Sequence, residues 1–161
     1  MRRDWLTGAA LTAAAISVPV ISVGVSGTAQ AAAGSPLFNQ VAASVAKKLV
    51  GDPYAYGGTS PAGFDCSGLT QYVYRHTGGG KIIPRTADGQ YLQFRAVSHA
   101  AALPGDLVFF HDTSSPSSYV YHVGVYEGGN DMVAATTPSG GVELQSFTWA
   151  GDTVTFGTIT H

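Results

Sequence analysis

Asp65-Cys66-Ser67-Gly68-Leu69-Thr70-Gln71-Tyr72-Val73-Tyr74 is the stretch that decides the fold. Cys66, Leu69, Val73 and Tyr74 recur at helical spacing and mark one inward face. Asp65 is a suitable N-cap, because its carboxylate can accept from first-turn amides. Gly78-Gly79-Gly80 ends the run. A cysteine therefore opens the helix, where backbone N–H groups and the positive end of the helix dipole favour a thiolate. Gly68 is small enough for a substrate backbone to approach. The plainer reading is a small buried residue, since free cysteine packs well in cores. Placement alone does not choose between the two.

Upstream, Leu37, Val41, Val45 and Leu49, with Phe38, Ala42 and Ala46 beside them, predict another amphipathic helix over 37–50. Ser35 reads as its cap, Pro36 as its first residue and Gly51 as its stop. Between the helices, Pro53, Gly57, Gly58, Pro61 and Gly63 make a turn-rich approach. Downstream, Thr86 to Tyr91 reads as a short helix, and then the pattern changes. Short strands are predicted at Leu107–Phe110, Val120–Tyr126, Met132–Ala135, Val142–Leu144 and Val154–Ile159. Pro104-Gly105-Asp106, Gly128-Gly129-Asn130 and Ser139-Gly140-Gly141 punctuate them, and residues 112–118 form a Ser/Thr-rich loop. Helices first and strands second make an α+β class with an antiparallel sheet.

A chain of 161 residues with 8 Lys+Arg against 10 Asp+Glu is one domain of net charge -2. That balance excludes a basic nucleic-acid footprint. Cys66 is the only cysteine, which excludes an intrachain disulfide and a thiolate-rich zinc site. No His/Cys pair shows ligand spacing, so neither metal nor cofactor is expected. The chain opens with Arg2-Arg3, an apolar run from Leu6 to about Val25, and Ala29-Gln30-Ala31 as an A-x-A cleavage site. Residues 1–31 thus read as a secretory signal peptide, and Arg2-Arg3-Asp4-Trp5-Leu6 resembles the twin-arginine type. An uncleaved anchor is the rival, weakened by Gly8, Ser17, Pro19, Ser22 and Gly24. Residues 32–161 are then expected as a single exported domain, free of the membrane after cleavage and monomeric.

A cysteine nucleophile needs a base. Of five histidines, His76 lies at the far end of the Cys66 helix, ~15 Å away at 1.5 Å per residue, and cannot reach. His161 is terminal and His99 falls in a loop. His122 opens the apolar strand His122-Val123-Gly124-Val125-Tyr126, and His111 ends another strand as the only rival.

Asp65-Cys66-Ser67-Gly68-Leu69 resembles the nucleophile motif of the NlpC/P60 family of cell-wall cysteine peptidases. Pro53-Tyr54-Ala55-Tyr56-Gly57-Gly58 is similar to its aromatic-Gly-Gly segment, and Pro84-Arg85-Thr86-Ala87 with Gln90 to its next motif. Leu103-Pro104-Gly105-Asp106-Leu107-Val108-Phe109-Phe110 resembles its Pro-Gly-Asp strand entry, and His122 to Tyr126 its catalytic His strand. The five motifs stand in family order between Leu37 and Ile159. The resemblance implies a papain-like α+β fold, with the nucleophile at a helix N-terminus packed on the sheet that carries the histidine. It implies a bacterial, secreted or wall-associated endopeptidase acting on peptidoglycan stem peptides, commonly between D-glutamate and a diamino acid. Cys66 is then the nucleophile and His122 the general base. Tyr54, Asp65 and Ser67 match positions that line the substrate pocket, with Asp65 suited to a stem-peptide amine as well as to helix capping.

The chain departs from the family at one catalytic position. Similar enzymes carry a third polar residue twelve positions after the histidine to hold the imidazole; here that position is Ala134. A water or backbone carbonyl, or Thr136 or Asn130, could take its place, or activity could be reduced. The alternative function is a non-catalytic wall-binding or inhibitory module on a decayed peptidase scaffold.

Overall fold

A computed structural model describes residues 36–112, 114, 119–137, 139–150 and 153–159. The signal-peptide expectation over residues 1–31, the Ser35 cap and His161 lie outside the described residues. In chain order the elements are α1 (Pro36–Lys48), β1 (Thr59–Ser60), β2 (Gly63–Phe64), α2 (Cys66–His76), α3 (Ala87–Gln93), β3 (Arg95–Val97), β4 (Leu107–His111), β5 (Val120–Gly128), β6 (Asp131–Thr137), β7 (Gly141–Ser146) and β8 (Thr153–Thr158). Single turns of 3-10 helix cover His99–Ala101 and Phe147–Ala150.

β1 and β2 form a small hairpin. The other six strands make one antiparallel sheet in the order β3-β8-β4-β5-β6-β7. The expected α+β class, with helices packed on an antiparallel sheet, is what the chain adopts. α2 packs on β5 and β6 in the middle of the sheet, and α1 and α3 each pack against both α2 and β5. Phe38, Ala42 and Ala46 of α1, Leu69, Val73 and Tyr74 of α2, and Phe109, Val123, Val125 and Val133 of the sheet are buried together. The Tyr74 hydroxyl is satisfied there, donating to the Gly105 carbonyl at 2.7 Å. A second apolar cluster covers the opposite face, where Val108, Phe110, Met132 and Ala134 meet Tyr126, Phe147 and Phe156. No helix among the described residues is long and apolar enough to cross a membrane.

Two pieces of structure escape the sequence pattern. β3 has three residues, largely exposed, and the β1–β2 strands have two each. Segments so short carry no period; backbone pairing to β8 and between β1 and β2 makes them.

Asp65 caps α2 as its sequence context predicts, its carboxylate accepting from Gly68 N at 2.7 Å. Such a cap is worth about 1 kcal/mol, while burying Leu69, Val73 and Tyr74 is worth about 2 kcal/mol each. Packing therefore holds the helix. The cap decides where it starts, and so where Cys66 stands.

Candidate active site

Cys66 is the first residue of α2 and half-buried against the core. It opens into a cavity of about 290 Å³ lined by Tyr54, Cys66, Tyr121, His122, Ala135, Thr136 and Thr137. Only the cysteine and the histidine among these carry side chains that ordinarily titrate near neutral pH. The sulfur lies against β5, within hydrogen-bonding reach of the Val123 backbone, next in sequence to His122. The helix start and the histidine strand thus both reach one cavity.

Burial pushes the Cys66 thiol up, and the nearby Asp65 carboxylate adds to that; the Val123 and Ser67 backbones and the Ser67 hydroxyl pull it back only in part. The expectation of a lowered thiol is therefore corrected: desolvation outweighs the helix terminus here. His122 is lowered to about 4, also by burial. At neutral pH the resting pair is thiol and neutral imidazole, and the imidazole is in the form that can accept a proton.

The same burial has a stability consequence. The unfolded chain takes up a proton at this histidine near its ordinary value of ~6.5, whereas the folded chain does so only at about 4. Between these values the unfolded state binds more protons, so stability falls as pH drops through that window, by about 3 kcal/mol in total. Urea midpoints at pH 7 and pH 4.5 should show the drop, and His122→Gln should reduce it; equal drops in both proteins would refute the assignment.

Tyr54 lines the cavity with Cys66. Its hydroxyl is pushed up by burial and then by Cys66, Asp65 and Tyr56, and stays protonated. Asp65 and Ser67 are drawn into a cluster with Arg85. The guanidinium of Arg85 donates from Nη1 to Asp65 Oδ1 at 3.0 Å and to Ser67 Oγ at 2.8 Å, and from Nη2 to Asp65 Oδ2 at 2.5 Å. Asp65 Oδ2 also accepts from Gly57 N at 2.9 Å. The capping role of Asp65 is met in full, and with Arg85 paired its carboxylate has no free lone pair for an incoming amine.

Sequence alone does not single out Arg85 as a site residue. Its one signal is its place in Pro84-Arg85-Thr86-Ala87, ahead of Gln90. Gln90 Nε2 donates to the carbonyls of Ser67 at 3.0 Å and Pro84 at 2.9 Å, and its Oε1 accepts from Thr70 Oγ1 at 2.7 Å. That buried amide ties the Arg85 turn to the first turn of α2. The Gly68 expectation changes as well: a Cβ there would stand 1.9 Å from the Gly58 carbonyl oxygen. The close approach that requires glycine is made by the chain's own loop.

The other histidines stand elsewhere. His111 Nε2 is 2.7 Å from Thr155 Oγ1, and its ring meets Tyr91 edge-on. His99 stacks on Phe156 in the cluster on the opposite face. His76 ends α2, with Nδ1 2.8 Å from the Tyr72 carbonyl. Thr136 lines the cavity, whereas Asn130 sits in the β5–β6 turn, its carbonyl accepting from Phe147 N at 2.9 Å. Ala134 is fully buried beside Gly124, and a Cβ on that glycine would lie 3.1 Å from the Ala134 Cβ. Among the described residues no group of three or more His, Cys, Asp or Glu side chains could hold a metal.

Residues 51–157 match the NlpC/P60 family. The chain is 43% identical over 90 residues to a probable endopeptidase p60 of Listeria seeligeri, covering 56% of this chain and 16% of that protein. It is 38% identical over 130 residues to the bifunctional muramidase/DL-endopeptidase CwlT of Bacillus subtilis, covering 78% of this chain and 38% of that protein. The chain therefore spans less than half the length of these relatives. Among solved structures, the NlpC/p60 domain of the peptidoglycan hydrolase SagA superposes with a TM-score of 0.65 at 31% identity, covering 74% of this chain and 98% of that one.

Proposed function

The chain belongs to the NlpC/P60 family, and from that membership we propose that it is a secreted bacterial thiol peptidase that hydrolyses peptidoglycan stem peptides, at the bond between D-glutamate and a diamino acid. The observation that carries the reading is the shared cavity of Cys66 and His122. The names of its relatives, endopeptidases and a peptidoglycan hydrolase, support the substrate class. Export through a signal peptide at residues 1–31, with residues 32–161 working as a monomer at or near the wall, is part of the same proposal.

The resting protonation states favour general-base activation over a preformed ion pair. His122 takes the thiol proton as Cys66 Sγ attacks the stem carbonyl carbon. The oxyanion that forms is held by backbone N–H groups at the open end of α2. Collapse breaks the C–N bond, His122 protonates the leaving amine, and a thioester remains on Cys66. Water, deprotonated by His122, then releases the acid and restores the thiol. Tyr54 lines the cavity in which the stem is laid, while Ser67 and Asp65, paired with Arg85, hold the first turn of α2 beside it.

A second reading, a wall-binding module without turnover, is favoured by Ala134 and by the buried His122 Nε2, which has no hydrogen-bond partner. Incubation with defined muropeptides followed by mass spectrometry separates the two. The expected result is a pair of products whose summed mass exceeds the substrate by one water, split at the stem amide. Binding without product on every muropeptide would overturn the peptidase proposal in favour of the second reading.

A further inference from the structure

His122 and Gly124 lie two residues apart on β5 and share a face of the sheet. On that face Gly124 abuts Ala134 and Met132. The position at which the family resemblance puts a polar partner for the imidazole is here an alanine methyl in the apolar cluster on that face. His122 Nε2 is buried and unpartnered. What does touch the imidazole is a ring. Phe110 on β4 is the direct register partner of His122, with ring centroids 5.2 Å apart and planes at 54°. Phe110 has no exposed surface, and its strand is held between β5 and β8, where Val154 is its partner on the other side. A side chain fixed on both sides is a firm support for a neighbour.

We infer that Phe110 is the positioning residue of His122: its ring, rather than a hydrogen bond from position 134, sets the plane in which the imidazole meets the Cys66 thiol. The inference rests on the peptidase reading for its effect on rate, but not for its effect on the histidine itself. The groups facing the imidazole are few. Cys66 comes from α2, Tyr54 from the loop before β1, Tyr121 from β5, and Thr136 and Thr137, uncharged hydroxyls, from β6; Phe110 of β4 and Ala134 of β6 carry no charge. The buried Phe110 ring packed against the imidazole also helps exclude water from it, and removing that ring lets the imidazole both turn and hydrate.

The test uses Phe110→Leu, with Val108→Ala as the comparison. Val108 belongs to the same apolar cluster on the same strand, and its aliphatic side chain makes no ring contact with His122. In Phe110→Leu, kcat should fall about 10- to 100-fold with little change in KM. The His122 ring signal, followed by NMR against pH, should titrate at higher pH than in wild type. Val108→Ala should lower the thermal midpoint and leave both readouts near wild type. Adding Ala134→Asn to Phe110→Leu should recover part of kcat, by offering Nε2 a partner. If Phe110→Leu does not fold, Phe110→Met is read in the same way. Should Phe110→Leu or Phe110→Met lower stability as Val108→Ala does while the His122 titration stays at its wild-type position, the inference is overturned. If no muropeptide is ever cleaved, the peptidase reading fails, and the NMR titration still decides the positioning role.

Discussion

Cys66→Ala is expected to abolish release of stem fragments from purified peptidoglycan, with turnover reduced by at least about 10⁴-fold. The chain has no second cysteine to take over. The imidazole that lines the cavity is His122, which in the proposed reaction has no proton to accept once the thiol is gone. The loss should be chemical and not structural. Cys66 is half-buried at the start of α2, and the cap, the Arg85 cluster and the Gln90 ties are all made by other side chains. Wild type and variant should therefore share a thermal midpoint and bind muropeptide alike. Residual turnover within tenfold of wild type would remove Cys66 as the nucleophile. Thiol alkylation alone is a poor substitute for this measurement. Burial raises the resting thiol, so slow labelling at pH 6–7 is expected of an active enzyme as well as of a decayed one.

The parts of the site that are legible in the sequence are those written in local chemistry. A cap, a cysteine and an apolar stripe predict α2, and an alternating run beginning at His122 predicts β5; each needs only its own neighbours. The meeting of the two at one cavity follows from family order, not from spacing. What stays hidden depends on tertiary contact. Arg85 is one more exposed cation until the chain folds it onto Asp65 and Ser67. Sequence points to the wrong sign for the thiol shift, because a helix terminus is visible in sequence and desolvation is not. β1, β2 and β3 are too short to carry a period and exist through their partners. Phe110 illustrates the same limit: in sequence it is a core residue of an apolar strand, and only its register with His122 connects it to the site.

Gly68→Ala should damage both stability and activity, against the usual direction for a helical glycine. In an open helix, alanine gains up to about 1 kcal/mol over glycine. Here the new methyl would stand 1.9 Å from the Gly58 carbonyl oxygen, a backbone atom with little freedom to yield. That carbonyl accepts from Asp65 N at 3.1 Å, and Gly58 N donates to the Ala55 carbonyl at 2.9 Å. Gly58 is itself confined, since a Cβ on it would lie 2.2 Å from the Gly63 carbonyl oxygen. Relief must therefore come from moving the 55–58 loop away from α2. This movement breaks the Asp65 N bond and strains the Gly57 N contact to the Asp65 carboxylate, and with it the Arg85 pairing. Overpacking costs about 1–3 kcal/mol and each lost hydrogen bond about 1 kcal/mol. Together these exceed the propensity gain, for a net loss of stability of about 2 kcal/mol or more, read from urea unfolding. Because the same residues set where α2 begins, Cys66 shifts with them, and a displacement of ~1 Å lowers kcat/KM by about 100-fold. Gly78→Ala supplies the contrast, since nothing lies within 4 Å of its Cβ position; it should change stability by no more than about 0.5 kcal/mol and leave activity intact. A Gly68→Ala protein more stable than wild type would show that the 55–58 loop yields freely and does not fix the nucleophile.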